Sequence, residues 1–439
     1  MKKRILAICC MLCVWLTFAP GVPALEGEAR RAADTLITLG LLDEGEYDLS
    51  APIDRVAATV MLVKLSGGPD EGVKSSRFRD VPKEADAAVA YAVRQGWTAG
   101  ASATEFGVEQ RMMANDWFAM LLKMLDCGAF EPSDAAIFAR RIGLVSRAYT
   151  GLFTLGDLCE SATETLVFAY PDGQTVIDRL IARGICSQSD VDALGLKRPE
   201  LTARQIADRY MSGVFCLKLY DTEQDIADSM EFANASGFFI RSDGLAVTNY
   251  HSIDGATQAV ATLVTGEQCP VSRVVWYDVG MDLAIIRVSR TTLENRTIPR
   301  FHALQIVGTT DLRAGDIAYT LSNPLGYGLA VSAGVVSATS REVDRYSIPC
   351  VMNTADISQG SSGGALLNVF GHVIAVTSGA YRLGNSMYLA VPADVIPTLD
   401  LDAAGYTLAE VAAREAPQER QAPEPEKEPE ASLNETEVQ

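Results

Sequence analysis

Histidine is scarce in this sequence, and its scarcity limits the kinds of site that the chain can build. Only His251, His302 and His372 occur among 439 residues. Three of the nine cysteines lie in the first thirteen residues, and the six that follow include no C-x-x-C pair. Structural zinc usually needs four closely spaced histidine, cysteine or carboxylate ligands. The sequence therefore predicts no metal site, and it leaves the pairing of the cysteines open.

Basic residues and long apolar runs are also few. The chain has 37 lysines and arginines against 56 acids, which gives a formal net charge of -19. Such acidity argues against nucleic acid or an anionic membrane as a partner. The one long apolar run, Ile5 to Phe18, follows three basic residues and precedes small residues that end at Ala24. It predicts a cleaved signal peptide over residues 1–24, with an uncleaved anchor as the alternative. We therefore expect a secreted or envelope-associated bacterial protein.

The region from residue 25 to 200 is rich in alanine and has helical periodicity, so it predicts an all-α domain. A weak internal repeat runs through it. Gly40 precedes Arg55 by 15 residues, and Gly96 precedes Arg111 by the same distance. A fixed spacing of this kind is typical of stacked helical repeats.

The repeat also has a recognisable entry sequence. Ser76 to Pro82, read as S-R-F-R-D-V-P, introduces the second copy, and Gly143 and Gly184 are candidates for diverged further copies. An F-x-D-V entry, a helix, a glycine turn and an arginine that opens another helix resemble S-layer homology modules. The resemblance implies that Arg55 and Arg111 bind anionic cell-wall polysaccharide, which suits a guanidinium fork. The alternative is that both are ordinary surface residues.

The character of the chain changes near residue 201. Thr202 and Gln205 have the spacing of a helix capping box, so we expect a helix that ends near Tyr210 and leads into a first strand. We predict a separate domain over residues 201–405. Beyond it, a short helical segment leads into prolines and acids that bury too little apolar surface to fold. We therefore predict an acidic, disordered tail over residues 406–439.

A glycine-rich turn in the second domain is the strongest chemical signal in the chain. Gly360-Ser361-Ser362-Gly363-Gly364 is followed by the apolar runs of two predicted strands. Glycine permits unusual backbone angles and lets a substrate carbonyl approach the main chain, as an oxyanion hole requires. Such a turn is also common in linkers. A nucleophilic serine would need a base, and the base would need a third group to orient it.

Only three histidines are candidates for the base. His302 and His372 lie in polar connections that suit surface positions, whereas His251 ends a predicted hairpin. Asp282 directly precedes the apolar strand sequence Leu-Ala-Ile-Ile, where a carboxylate can accept the imidazole N–H. Asp278 is a rival, and we prefer Asp282 for its place at the edge of a strand.

These motifs occur in the order of a trypsin-like serine peptidase and resemble the HtrA/Deg group most. The similarity includes Thr248 to His251, Asp282-Leu-Ala, Asn323-Pro-Leu-Gly and the G-S-S-G-G turn, over roughly 214–397. It implies two six-stranded antiparallel β-barrels, with His251 and Asp282 from the first and Ser362 from the second. The backbone N–H groups of Gly360 and Ser362 would form the oxyanion hole. Ser361 stands where the group usually has asparagine, and no PDZ-like sequence follows.

The sequence therefore predicts a multidomain α plus β protein, with N-terminal helical repeats followed by a chymotrypsin-like double β-barrel. We expect an exported serine endopeptidase that needs no cofactor and cleaves proteins or peptides. A P1 residue of small or medium apolar type is expected, on the premise that no acid lies near the S1 site. A non-catalytic wall-binding or envelope-organising protein is the competing hypothesis, and an enzyme gated by its helical domain is a third. The oligomeric state is left open.

Overall fold

A computed structural model describes residues 23–69, 75–128, 130–381 and 385–415 of the chain. The predicted signal peptide therefore lies almost entirely outside the described residues. No helix among the described residues is long and apolar enough to cross a membrane. The helices of the N-terminal half are α1 Pro23–Thr38, α2 Arg55–Leu65, α3 Asp86–Arg94, α4 Ala114–Met124, α5 Ala135–Arg141, α6 Leu155–Leu166, α7 Val176–Ala182 and α8 Gln188–Ala193, with a short 3-10 helix at Pro132–Asp134.

Three short segments organise this helical region. Each directly precedes a helix, and they pair with one another as antiparallel bridges: Pro52 with Thr154, Asp54 with Arg111 and Met113 with Leu152. The helices pack in pairs, α1 on α6, α2 on α3 and α4 on α5. The three bridges join the three segments in a ring, so three units, each a bridged segment with the helix that follows it, meet at one centre.

The register of these units differs from the one predicted from the glycine-to-arginine spacing. Arg55 is the first residue of α2, whereas the helices of the other two units begin at Ala114 and Leu155. Arg111 lies three residues before α4, in the bridged segment. The expectation that Arg111 opens a helix as Arg55 does is therefore wrong. The equal spacings are misleading because the connection before α4 is longer.

The second half of the chain contains short helices around twelve strands in the described residues. The helices are α9 Ala203–Tyr210, α10 Glu223–Asp228 and α11 Leu408–Glu415, with 3-10 helices at Met211–Gly213, Pro324–Gly326 and Ala393–Thr398. The strands are β1 Val214–Tyr220, β2 Ala233–Phe239, β3 Leu245–Thr248, β4 Gln258–Leu263, β5 Gln268–Asp278, β6 Leu283–Val288, β7 Ile317–Ser322, β8 Ala330–Arg341, β9 Cys350–Asn353, β10 Ala365–Asn368, β11 Val373–Ala380 and β12 Tyr388–Pro392.

The strands form two closed barrels of six strands each. Their orders are β1-β2-β3-β6-β5-β4 and β10-β11-β12-β9-β8-β7, and every pairing is antiparallel. Closure leaves no open sheet edge, so each barrel is a self-contained hydrogen-bonded unit. The double barrel that the resemblance implies is thus confirmed.

The barrels pack against each other through apolar side chains of both. Phe238 and Leu245 of the first barrel share a core with Leu321 and Val376 of the second. The predicted helix before the first strand is present as α9, and Thr202 and Gln205 form its capping box. The cleft between the two barrels is where the loops that follow β3, β5 and β9 come together.

The chain after the second barrel returns to the first. Tyr406 exchanges two backbone hydrogen bonds with Val274 of β5, and Leu408 and Val411 of α11 are buried. The short helix predicted there is present, but the disordered tail predicted from residue 406 begins too early. Residues 406–415 are ordered because two apolar side chains one turn apart pack on the barrel.

An arginine-rich junction connects the helical region to the second barrel. Arg198 donates through Nη2 to the Phe370 carbonyl and through Nη1 to His372 Nε2, both at 2.8 Å. Arg209 of α9 donates to the carbonyl of Ile142 and its guanidinium lies 4.1 Å from the Phe168 ring centre. Both arginines are covered by protein, so the two regions meet over a defined contact.

Candidate active site

The loops after β3 and β5 bring His251 and Asp282 into contact. His251 Nδ1 lies 2.9 Å from Asp282 Oδ1 and 2.8 Å from Oδ2, and the His251 backbone N–H donates to Oδ1 at 2.9 Å. Because Nδ1 faces a carboxylate, the tautomer with its proton on Nδ1 is favoured, which leaves Nε2 as the basic nitrogen. Asp278, the rival carboxylate, instead accepts from the Met281 N–H at 2.7 Å.

The Asp282 carboxylate is buried and held in an uncommon backbone conformation. Its φ angle is 59°, a left-handed value that costs free energy for a residue with a side chain. The Asn249 side-chain amide donates to the Asp282 carbonyl at 2.9 Å and so supports that conformation. Burial acts to raise the pKa of Asp282, but hydrogen bonds from His251 and Ser378 and the charge of His251 hold its pKa below the ordinary value. The carboxylate is therefore ionised near neutral pH.

Ser378, near the end of β11, connects this pair to the turn that carries Ser362. Its hydroxyl donates to Asp282 Oδ2 at 2.5 Å, and a 2.9 Å hydrogen bond joins the same hydroxyl to Tyr346 Oη. Its carbonyl accepts from the Ser362 hydroxyl at 3.0 Å. No hydrogen bond joins Ser362 to His251 within the described part of the chain. Rotation about the Cα–Cβ bond is therefore needed before Ser362 can donate to the imidazole.

Two positions of the nucleophile turn need glycine, each for a different steric reason. Gly360 has a φ of 90°. A Cβ on Gly363 would lie 2.1 Å from the Ser236 carbonyl oxygen, a distance no real contact allows. Both positions therefore require glycine.

The backbone around Gly360 is held by a neighbouring loop. The Gln359 carbonyl accepts from the Leu325 N–H at 2.6 Å. Since C=O and N–H point in opposite directions in one trans peptide, this bond turns the Gly360 N–H the other way. Among the described residues, neither the Gly360 nor the Ser362 N–H donates to a protein acceptor. Leu325 itself has a φ of 57°, so strain is stored in the loop that holds this peptide.

A serine of the first barrel fixes the turn from the opposite side. The Ser236 N–H donates to the Ser362 carbonyl at 2.7 Å, and the Ser236 hydroxyl donates to the Gly360 carbonyl at 2.8 Å. The same hydroxyl accepts from the Asn323 N–H at 2.8 Å. Ser236 is fully buried, so these bonds are not shared with water. The nucleophile turn and the loop at Asn323 therefore meet at one residue of β2.

The other two histidines lie at the junction with the helical region, away from this cleft. His372 accepts from Arg198, and a 2.8 Å hydrogen bond joins His302 Nδ1 to the Ser212 hydroxyl. Burial, followed by the nearby charge of an arginine, lowers the pKa of each to about 4. Both are more covered than the polar surface positions expected from the sequence, because the helical region packs over them.

The two arginines predicted to bind polysaccharide are in different settings. The Arg55 guanidinium donates to the carbonyls of Phe106 and Ala99, at 3.2 and 2.7 Å, and to the side chains of Gln110 and Thr98. Its contacts join the first unit to the second. Arg111 is exposed, and only its backbone is bridged to a neighbouring segment.

Sequence reasoning did not select Ser236, Ser378 or Tyr346. Ser236 and Ser378 lie in runs that were interpreted as strands, where serine carries no special signal. Tyr346 lies in a connection without a motif. Their roles depend on contacts across 124, 96 and 32 positions of chain, which no local pattern reveals.

Comparison with known proteins places the barrels in a familiar class. Residues 235–376 match the family model described as a trypsin-like peptidase domain. The chain is 31% identical over 146 residues to a probable periplasmic serine endoprotease DegP-like from Bartonella henselae, which covers 32% of this chain and 27% of that protein. It is also 31% identical over 122 residues to the putative serine protease HhoB from Synechocystis, covering 28% and 27%.

The fold comparison is weaker. The crystal structure of the serine endoprotease from Yersinia pestis aligns with a TM-score of 0.38 and 21% identity, covering 49% of this chain and 68% of that one. The chain spans about a quarter of the length of the curated relatives it matches. The family match and the named relatives support a trypsin-like serine endopeptidase domain in this part of the chain.

Proposed function

We propose that this protein is an exported serine endopeptidase that cleaves proteins or peptides at the bacterial cell envelope or outside the cell. The observation that carries the proposal is the contact of His251 with the buried Asp282 beside a glycine turn that presents Ser362. An imidazole oriented by a carboxylate, with a hydroxyl and free backbone N–H groups nearby, is the arrangement that acyl transfer requires.

The catalytic steps follow from the positions of these groups. Ser362 rotates from the Ser378 carbonyl toward His251 Nε2, which takes the hydroxyl proton as Oγ attacks the scissile carbonyl carbon. The N–H groups of Gly360 and Ser362 stabilise the oxyanion. The tetrahedral intermediate collapses, the protonated His251 gives its proton to the leaving amine, and an acyl-enzyme remains. Water then attacks the ester, with His251 again as the base, and Ser362 is regenerated.

Asp282 has two roles in this sequence of steps. It holds the imidazole in the tautomer with Nε2 unprotonated, and its charge stabilises the imidazolium that forms. The hydrogen bond from Ser378 keeps the second carboxylate oxygen satisfied while the first accepts from the His251 backbone. The chemistry uses only side chains and backbone of this chain, and no cofactor enters any step.

The test compares the mature chain with Ser362→Ala on casein and on a fluorophosphonate probe. We expect the native chain to degrade casein and to be labelled by the probe, and Ser362→Ala to do neither. Ser340→Ala is the matched control, because Ser340 is an exposed serine on β8 of the same barrel. Labelling of Ser362→Ala, or a chain that is inert both with and without residues 25–200, would contradict the proposal.

The competing function is a binding protein whose barrels are not catalytic. It is favoured by the hydrogen bond of Ser362 to Ser378, which leaves the hydroxyl unconnected to His251. In that case neither chain would react with the probe. Removal of residues 25–200 tests the third hypothesis, since a gated enzyme would become active in the shorter chain.

The S-layer homology-like character of the helical region, its boundaries at 25–200 and its role in attachment belong to the same proposal. The cyclic packing of three units supports it. Arg111 is the better placed of the two arginines for an anionic wall polysaccharide, because its side chain is exposed. Sedimentation with purified cell walls, native against Arg111→Ala, is the measurement, and equal sedimentation of both would exclude a role for Arg111.

A further inference from the structure

The connection between β8 and β9 places one side chain beside the site, and the catalytic steps do not use it. Tyr346 is buried, whereas its neighbours Arg345 and Ser347 are exposed. The Tyr346 hydroxyl lies 2.9 Å from the hydroxyl of Ser378. A buried phenol usually has a hydrogen-bond partner, and here the partner is the serine that contacts Asp282.

The direction of these hydrogen bonds follows from the number of protons. Ser378 has one hydroxyl proton, and it donates that proton to the Asp282 carboxylate at 2.5 Å, because a charged acceptor forms the stronger bond. Ser378 Oγ can then only accept from Tyr346. Burial raises the pKa of the Tyr346 phenol, so the phenol keeps the proton that it donates. Donation therefore runs from Tyr346 to Ser378 and from Ser378 to Asp282.

The loop that carries Tyr346 also contacts the loop that carries Asp282. The Ser347 N–H donates to the Gly280 carbonyl at 2.8 Å. A Cβ on Gly280 would lie 3.0 Å from Ser347 Oγ, so the two loops pack closely. Two consecutive residues of the second barrel therefore hold the acid of the first. Ser347 holds its loop by the backbone, and Tyr346 reaches its carboxylate through Ser378.

The strand that provides Ser378 is irregular at that residue. The pairing of β11 with β12 changes register between Thr377 and Gly379, so Ser378 lies in a bulge. A bulge interrupts the ladder of hydrogen bonds and changes the direction of a side chain. A Cβ on Gly379 would lie 3.1 Å from Tyr346 Oη, so the tyrosine packs directly against the bulge. Tyr346 therefore constrains Ser378 where strand pairing does not.

We propose that Tyr346 is a positioning residue of the peptidase, and that it acts through Ser378 on the Asp282 carboxylate. The inference rests on the proposed peptidase function. A hydroxyl that accepts one hydrogen bond becomes a stronger donor in the next, so Tyr346 strengthens the bond from Ser378 to Asp282 Oδ2. The same oxygen lies 2.8 Å from His251 Nδ1. Tyr346 thereby affects the hydrogen bond that orients the base.

The kinetic test compares the native chain with Tyr346→Phe on a peptide that the native chain cleaves. We expect kcat to fall by about three- to tenfold with KM unchanged, which is the effect of one hydrogen bond. Tyr319→Phe is the matched control. The Tyr319 hydroxyl is also buried in the second barrel, but it donates to the Leu201 carbonyl at 2.9 Å. This control should lower the thermal midpoint and keep the native kcat.

A double-mutant cycle tests the route through Ser378. Ser378→Ala keeps the carbonyl that accepts from Ser362 and removes the hydroxyl that accepts from Tyr346. We therefore expect Tyr346→Phe to have no further effect on kcat in a Ser378→Ala chain. The proposal is overturned if the two effects multiply, if Tyr346→Phe keeps the native kcat, or if Tyr319→Phe lowers kcat equally.

A spectroscopic measurement decides the inference even if the fluorophosphonate probe labels no chain, which is the outcome in which the proposed function fails. In the full chain with Ser362→Ala, the proton NMR resonance of the His251 Nδ1–H reports its hydrogen bond to Asp282, and His251→Gln identifies that resonance. We expect Tyr346→Phe to move it downfield, because the carboxylate becomes the stronger acceptor, and Tyr319→Phe to leave it in place. A resonance that stays in place in Tyr346→Phe rejects the inference.

Discussion

The helical region and the double barrel both contain residues that stand out in the sequence, but they use them differently. In the helical region Arg55 makes four hydrogen bonds to its neighbours, and Trp117 is fully buried with its indole N–H donating to Ser161. In the barrels, by contrast, the N–H groups of Gly360 and Ser362 have no protein acceptor within the described residues. Arg55 and Trp117 serve the packing of their own region, whereas the two N–H groups of the barrels are left available.

The difference separates structural motifs from chemical ones. A polar group that is satisfied by its own fold gains nothing from a ligand unless those bonds are broken, and breaking them costs free energy. A group that its neighbours hold in place, but that has no hydrogen-bond partner in the fold, can bind a ligand without breaking such bonds. Satisfaction of hydrogen-bonding capacity, more than residue type, therefore indicates where the chain can act on another molecule.

Among changes that keep Ser362, the largest expected effect is at Asp282, where both roles of the carboxylate are lost at once. Asp282→Asn keeps the shape, but its amide can donate to His251, which favours the wrong imidazole tautomer. We expect kcat to fall by about 10⁴-fold. Asp278→Asn is the matched control, because an asparagine oxygen still accepts from Met281. A fall of less than about tenfold in Asp282→Asn, measured by peptide hydrolysis, would separate Asp282 from the chemistry.

A smaller effect is expected at Ser236, which positions the anion site without touching substrate. Ser236→Ala removes the acceptor of the Asn323 N–H and the donor to the Gly360 carbonyl. The turn then relaxes, and we expect kcat to fall by about 10- to 100-fold with little change in KM. Affinity for a peptide aldehyde, which resembles the oxyanion, should fall in parallel.

The control for Ser236 is Thr262→Ala, since the Thr262 hydroxyl is buried in the same barrel with no partner among the described residues. It removes a buried hydroxyl without removing a hydrogen bond. If Ser236→Ala lowers the thermal midpoint but leaves both kcat and aldehyde affinity unchanged, Ser236 only joins the barrels.

The contrast between the two regions also explains what could be predicted from the sequence. The double barrel and the contact of His251 with Asp282 were accessible, because short motifs in a fixed order specify them. The correspondence between residues of the helical units could not be predicted. Equal spacings from Gly40 to Arg55 and from Gly96 to Arg111 suggested equivalence, but the helix that Arg55 begins corresponds to the one that Ala114 begins. The hydrogen-bonding roles of Ser378 and Ser236 were also missed, because their partners lie far away in the chain and depend on how the barrels close.

Arg55 provides a direct test of the contrast. Arg55→Ala leaves the carbonyls of Phe106 and Ala99 without their donor, so we expect the helical region to lose about 2 kcal/mol of stability. Peptide hydrolysis should not change. Arg111→Ala, an exposed arginine in the same region, should change stability by less than about 0.5 kcal/mol. Urea unfolding followed by circular dichroism measures both, and equal midpoints for the two variants would show that the Arg55 contacts are not structural.

The smallest expected effect concerns the junction between the two regions and its dependence on pH. His372 accepts from Arg198 through Nε2, so it must be neutral there. Its pKa is about 4 in the folded chain, because burial and Arg198 disfavour the cation, against about 6.5 when unfolded. The unfolded chain therefore binds more protons between these values. Stability is full above pH 6.5 and falls as the pH decreases toward 4.

Glutamine at position 372 separates titration from packing. Its side-chain oxygen accepts from Arg198 without binding a proton. Between pH 7.5 and pH 5 the native chain loses stability. After allowance for solvent screening, we expect this loss to be smaller by about 1 kcal/mol in His372→Gln. Urea midpoints in a Ser362→Ala background, which avoids self-digestion, measure the difference. His302 also has a pKa near 4, so part of the pH dependence should remain in this variant. If the curve is identical to that of native His372, the imidazole is not held neutral by the junction, and its hydrogen bond from Arg198 contributes nothing to the pH dependence of stability.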